Sequence, residues 1–222
     1  MIGNEPSRWT SWKFLGNSEI SSSLKANYDA VVFDLDDTLY PEISYLSEAY
    51  YNIALYLEEK ESVSSEEIHK YLLAKFKDDG RKSLFDSMLS NFKLSNIFLE
   101  DLLHILRTFT PKKKIDLFSK IYKILPMIIK NSNKVFVLTN GNVIQQKNKV
   151  RNINWRFNDK HLVFIYANEH KKKPAIDSFN FIKKKYNINN ELTIMVGDSD
   201  TDKTFADNCN IGFMFADDFM KN

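Results

Sequence analysis

Apolar residues follow two rhythms along this chain. Short β-branched or aromatic runs read as buried strands at residues 30–33 (AVVF), 134–138 (KVFVL), 162–166 (LVFIY), 192–196 (LTIMV) and 211–215 (IGFMF). Helical patterns lie between the later runs. One covers about 143–151. Another opens at Pro174, a good first-turn residue, and carries Ile176, Phe179, Ile182 and Tyr186 on one side. Strands alternating with helices predict an α/β fold: a doubly wound parallel sheet with helices on both faces.

Residues 41–130 break that rhythm. Ile43, Leu46, Tyr50, Ile53 and Leu57 recur at three- and four-residue steps. Ser64 and Glu67 form a capping-box pattern, with Ile68, Leu72 and Phe76 following on one face. Phe98, Leu102, Ile105, Leu106 and Phe109 make a third stripe. Thr110-Pro111 is expected to start a fourth helix, with Ile115, Phe118, Ile121, Tyr122 and Leu125 behind it. Roughly 90 helical residues is more than one crossover needs, so the stretch reads as an all-helical subdomain inserted into the α/β domain. The expected division is an arm over 1–28, a core from 29–40 and 131–222, and the helical insert over 41–130.

Composition narrows the class. The 222 residues are 43% hydrophobic and 27% charged, which are ordinary globular values. A formal charge of +2 argues against a dedicated nucleic-acid binder. The single cysteine, Cys209, excludes an internal disulfide and a Cys-rich zinc site. No run approaches the ~18 apolar residues of a membrane span, and the first residues lack an apolar signal segment. A cytoplasmic protein with no membrane partner is the expectation. The arm carries Trp9, Trp12, Phe14 and Leu15, and is read as packing them on the domain surface.

Four short segments carry chemistry, each after an expected strand. Asp34, Asp36 and Asp37 follow the first run, where ligands bind in open α/β sheets. Asp34 and Asp36 are two apart and point the same way in extended backbone. Carboxylates that close call for a cation, and a hard ion such as Mg²⁺ suits them. Asp198, Asp200 and Asp202 follow the fourth run, with Gly197 allowing a tight exit. A calcium loop of the EF-hand type needs Gly at its sixth position and Glu at its twelfth. This chain has Lys203 and Cys209 there. Thr139, Asn140 and Gly141 end the second run and offer a hydroxyl and backbone donors to an anion. Lys173, fixed by Pro174 at an expected helix start, is placed to neutralise a phosphate. The histidines read as ordinary surface or packing residues, and Tyr40 as packing or as an entrance residue.

Together and in this order, DLDDT (34–38), LTNG (138–141), KP (173–174) and GDSDTD (197–202) resemble the four motifs of the haloacid dehalogenase superfamily of phosphohydrolases. The resemblance covers about residues 29–216, and the first 28 lie outside it. It implies a Rossmann-like core and makes the helical insert similar to that superfamily's C1 cap, which closes over the site.

The resemblance implies that Asp34 is the nucleophile, forming an aspartyl-phosphate, and that Asp36 is the general acid and then the base. Mg²⁺ would be held by the Asp34 and Asp198 side chains and the Asp36 backbone carbonyl. Thr139, the Asn140 backbone and Lys173 would hold the phosphoryl oxygens. Asp202 would orient Lys173 or the metal's waters, a role Asp200 could share. The superfamily's dehalogenases lack a carboxylate two residues after the nucleophile, so Asp36 favours a phosphatase. The expected substrate is a small soluble phosphomonoester, such as a sugar phosphate or nucleoside monophosphate. The alternatives are a phosphomutase, a dehalogenase, and a non-catalytic phosphate-binding or regulatory module on the same fold. A phosphonatase would need a cap lysine that the sequence does not place.

Overall fold

The structure is a computed structural model that describes residues 28–132, 134–157 and 159–221. The aromatic arm, apart from Tyr28, lies outside the described residues. The first half of the chain holds β1 (Ala30–Phe33), α1 (Ile43–Glu61), α2 (Ser65–Asp79), α3 (Leu84–Asn91), α4 (Leu99–Thr108), β2 (Ile115–Asp116) and α5 (Ser119–Asn131). The second half holds β3 (Lys134–Thr139), α6 (Val143–Asn152), β4 (Ile153–Asn154), β5 (Leu162–Tyr166), α7 (Asp177–Tyr186), β6 (Thr193–Gly197), α8 (Asp200–Cys209), β7 (Gly212–Phe215) and α9 (Ala216–Lys221).

Two units divide these elements. The sheet unit takes the described residues through Leu39, then Ser119–Thr139, then those from Phe157 onward. Its five strands are all parallel, in the order β5-β3-β1-β6-β7. The chain builds outward from β1 through β3 to β5, then crosses back to β6 on the other side of β1. That reversal makes the carboxyl ends of β1 and β6 the switch point where such sheets bind ligands. Every residue of β1 is buried, as a central parallel strand requires. Ala30, Val32, Phe136, Leu138 and Met195 from the strands form one core with Phe179 and Ile182 of α7 and Phe205 and Ala206 of α8. Burial on this scale, at roughly 25 cal/mol per Å² of apolar surface, is what holds the strand ends in register.

The helical unit comprises Tyr40–Phe118 and Asn140–Arg156. α1 packs on α2 and α4, α2 on α3, and α4 on α6. Tyr45, Leu46, Ala49, Tyr50, Ile53, Ala54 and Leu57 make the buried stripe of α1. Tyr50 meets Phe76 and Phe85 edge-on, at 6.1 and 6.3 Å between ring centres. Ser64 caps α2 by accepting from the Glu67 amide at 3.3 Å.

Several local features differ from the sequence reading. The expected fourth helix does not begin at Thr110-Pro111. Ile115 and Leu117 are buried with Asp116 exposed between them, which is a strand's alternation. Ile115 pairs with Ile153 in a two-stranded parallel ladder, so the helix waits until Ser119. α5 then belongs to the sheet unit, because Ile121, Leu125 and Ile128 form its buried stripe and it packs on β3. α6 belongs to the helical unit instead. α3 went unpredicted: Leu84, Phe85, Met88 and Leu89 bury one face of only eight residues. Residues 173–176 form a turn around a cis Lys173–Pro174 bond, and α7 opens at Asp177. Tyr40 is fully buried.

Candidate active site

Backbone pairing alone sets the first carboxylate. Phe33 is in register with Val137 on one side and Val196 on the other. The ladder continues one residue further, the Asp34 amide donating to the Val196 carbonyl at 2.9 Å. Asp34 therefore leaves the sheet between β3 and β6, beside the start of Gly197-Asp198. It is 7% exposed.

Lys173 reaches this point from the turn before α7. Its Nζ donates to Asp34 Oδ1 at 2.5 Å, to Asp202 Oδ1 at 2.6 Å and to the Leu138 carbonyl at 3.0 Å. Three acceptors use all three of its protons, so a lysine only 3% exposed is fully satisfied. Burial works against its cation, but Asp34 and Asp202 outweigh that and raise its pKa.

Asp202 sits in the first turn of α8, 2% exposed. Its Oδ2 accepts from the Ser199 hydroxyl at 2.7 Å and from the Ser199 amide at 3.3 Å, while the Asp202 amide donates to Ser199 Oγ at 3.3 Å. This is a complete capping box, and it opens α8 while aiming Asp202 inward. Gly197 makes room for it. A Cβ there would lie 2.6 Å from Asp202 Cβ, closer than packed atoms come.

Asp198 follows Gly197 and faces solvent. The Thr38 hydroxyl approaches its Oδ1 at 3.5 Å. Oxygens of Asp34, Asp198 and Asp202 all lie within 4.8 Å of one another. Asp36 is half-buried and Asp37 exposed in the turn after β1.

The charge of this cluster does not balance. Burial pushes the Asp34 carboxyl up to about 7, against the pull of Lys173 and with help from Asp202 and Asp36. Partial desolvation, then the Asp202 charge, pushes Asp198 up to about 6. Among the described residues, the Lys173 ammonium is shared by Asp34 and Asp202 with Asp198 close by, so a further cation is electrostatically favoured. The donors are hard carboxylate oxygens, which fit Mg²⁺ rather than a thiophilic metal. Both Asp202 oxygens are engaged by Lys173 and Ser199, which leaves Asp34 and Asp198 as the side chains best able to hold an ion.

The structure thus brings Asp34, Lys173, Asp198 and Asp202 together at the carboxyl ends of β1 and β6. Thr139 is the last residue of β3 and is 3% exposed. Asn140, next in the chain, is half-buried and begins the second segment of the helical unit. Asp200 is exposed on the first turn of α8. His170 stacks on Phe181, with ring centres 4.5 Å apart. Sequence reading missed the Leu138 carbonyl, which no side-chain pattern reveals. It also missed Ser199, although Ser-x-x-Asp before a helix was a readable capping signal.

Comparison with known proteins points the same way. The family of haloacid dehalogenase-like hydrolases matches residues 31–216. No curated protein is detectably similar in sequence. Among solved structures, the HAD-hydrolase YfnB of Bacillus subtilis, bound to magnesium, is similar at a TM-score of 0.57 and 16% identity, over 84% of this chain and 87% of that one. A Lactobacillus delbrueckii subsp. bulgaricus protein described as a phosphoglycolate phosphatase gives 0.57 and 16%, over 85% and 86%. The L-2-haloacid dehalogenase of Xanthobacter autotrophicus gives 0.53 and 17%, over 84% and 76%. At these identities the likeness is one of fold.

Proposed function

The chain belongs to the haloacid dehalogenase-like hydrolase family, and on that premise we propose that it is a Mg²⁺-dependent hydrolase of small phosphomonoesters. One observation carries the reading. Carboxylates just past the ends of neighbouring strands, Asp34 and Asp198, converge with Lys173 at the sheet's switch point, with a further carboxylate, Asp36, two residues after Asp34.

The chemistry follows from these groups. Asp34 attacks phosphorus, and the ester oxygen departs with a proton from Asp36. Asp36, now ionised, takes a proton from water, which attacks the aspartyl-phosphate and returns Asp34 and free phosphate. Lys173, the Thr139 hydroxyl and the Asn140 amide steady the phosphoryl oxygens, so the protein's work is positioning and charge stabilisation. Asp34, Asp198 and the Asp36 carbonyl are the groups that would hold Mg²⁺, which shields phosphate charge from an anionic nucleophile. Asp202 orients Lys173. A dehalogenase has no leaving group to protonate, so Asp36 favours phosphoryl transfer. We place substrate selection in the helical unit and sugar phosphates or nucleoside monophosphates among the first candidates.

The test is a panel of phosphorylated metabolites assayed with and without Mg²⁺, beside Asp34→Asn. Metal-dependent phosphate release that the substitution lowers at least ~10³-fold is expected, in line with loss of an essential nucleophile. Turnover surviving both chelation and the substitution would refute the mechanism. Tight phosphate binding without turnover would favour the regulatory module, and halide release from a haloacid the dehalogenase.

A further inference from the structure

α6 hides polar side chains where a stabilising helix would hide apolar ones. Gln145 is 6%, Gln146 1% and Lys149 0% exposed. Burying an amide or an ammonium is costly unless each finds a partner, so the partners are informative. Lys149 Nζ donates to Oε1 of Glu42, which precedes α1 and is itself 5% exposed. Arg81, from the α2–α3 connection, reaches the same oxygen. The Lys149 ammonium also lies 5.3 Å from the centre of the Tyr45 ring.

Three residues earlier, and so on the same face of α6, Gln146 packs against Gly141. A Cβ at position 141 would lie 2.7 Å from Gln146 Nε2, and Gly141 has φ +123°, which side-chain-bearing residues rarely adopt. The Gln146 amide group therefore fills the space that this glycine leaves.

The places these two side chains grip are not arbitrary. The chain passes from the sheet unit to the helical unit between Leu39 and Tyr40, and again between Thr139 and Asn140. Glu42 stands just beyond the first crossing, which follows DLDDT. Gly141 stands just beyond the second, within LTNG. One helix face thus holds a residue within three positions of each crossing.

Stability alone is a poor reason for this arrangement. Buried ion pairs often contribute no more than apolar residues of similar volume, whereas they fix register. We propose that the Gln146–Lys149 face of α6 is a positioning device. It holds Glu42 and the 140–142 loop in a fixed relation within the helical unit, so that the stretch that follows DLDDT and the end of LTNG, with Asn140, keep one register. Its kinetic consequence rests on the phosphohydrolase reading; its effect on the loop does not.

The paired variant Glu42→Gln/Lys149→Met removes both charges together and leaves neither buried alone. Its melting temperature should stay within a few degrees of wild type, while amide hydrogen exchange at residues 140–142 speeds up at least ~10-fold. With the best phosphomonoester, kcat should fall about 10- to 100-fold with little change in KM, the scale of effect expected from small misplacement. Lys149→Arg alone, which keeps the charge facing Glu42, should retain most of the wild-type kcat. Gln146→Met, which carries no charge change, should show the same loosened loop and lowered kcat if the paired variant does not fold. Unchanged exchange at 140–142 in a folded variant overturns the proposal, as does a lowered melting temperature with kcat intact. Absence of phosphate release by the wild type would count against the functional reading alone, and the exchange measurement would still decide this one.

Discussion

At the scale of single residues, Asp34 explains much of the site. It is a buried carboxylate held by one ammonium that Asp202 and the Leu138 carbonyl share. Removing that ammonium with Lys173→Met would leave Asp34 and Asp202 facing each other across an apolar gap. Breaking a buried pair in this way typically costs about 3–5 kcal/mol. Chemical denaturation should register a loss of that order, and phosphate release should fall with it. A folded variant of wild-type stability would mean that the two carboxylates are protonated or hydrated in the native protein. Asp34 and Asp198 were readable because carboxylates at the ends of apolar strands have few structural uses, and Lys173 because Pro174 marked its place in the chain. The Leu138 carbonyl was not, because a backbone acceptor carries no residue signature.

At the scale of elements, α8 shows how a helix start can serve a site. Ser199 and Asp202 satisfy each other's backbone donors, and the same Asp202 carboxylate holds Lys173. Ser199→Ala removes both the cap and a donor to Asp202. The cost should be about 0.5–2 kcal/mol, as for other lost caps. In a protein this size each kcal/mol lowers the melting temperature by about 2–4 °C, which a thermal melt resolves. No shift at all would show that water replaces the hydroxyl. Long, strongly periodic helices such as α1 were legible in the sequence, as was β1 with its β-branched run. The 110–118 stretch was not. Its apolar residues fit a helical stripe and a strand's alternation about equally, and only pairing with Ile153 decides between them. α3 was too short for its period to stand out.

At the scale of the whole molecule, protons would compete with the proposed Mg²⁺ for the same carboxylates. Burial pushes the Asp34 carboxyl from an ordinary 3.8 up to about 7. The metal-free native state thus retains a proton that the unfolded chain gives up between those values, and loses stability as pH rises through that window. A divalent cation should reverse the trend. Ligand binding to the native state alone contributes about 2.7 kcal/mol at a hundredfold excess over Kd. Millimolar Mg²⁺ should therefore raise the melting temperature by several degrees at pH 8 and by much less at pH 5. Equal increments at both pH values would remove Asp34 from the ion's ligands. The parallel sheet was foreseeable from the alternation of runs. The unit boundaries were not, because α5 and α6 exchange the memberships that their sequence positions suggest, through packing on β3 and on α4.

The placement of β6 beside β1 has an effect on synthesis. Thr38 and Asp198 meet across 160 residues of chain. A ribosome therefore completes the helical unit, β3 and β5 long before the last strand-borne carboxylate emerges. On the mechanism proposed above, a chain cut short ahead of Gly197 would carry Asp34, Lys173 and every helix through α7, yet offer an ion only half its berth. Such a fragment should neither gather Mg²⁺ nor release phosphate, so on that reading a damaged message yields an inert product.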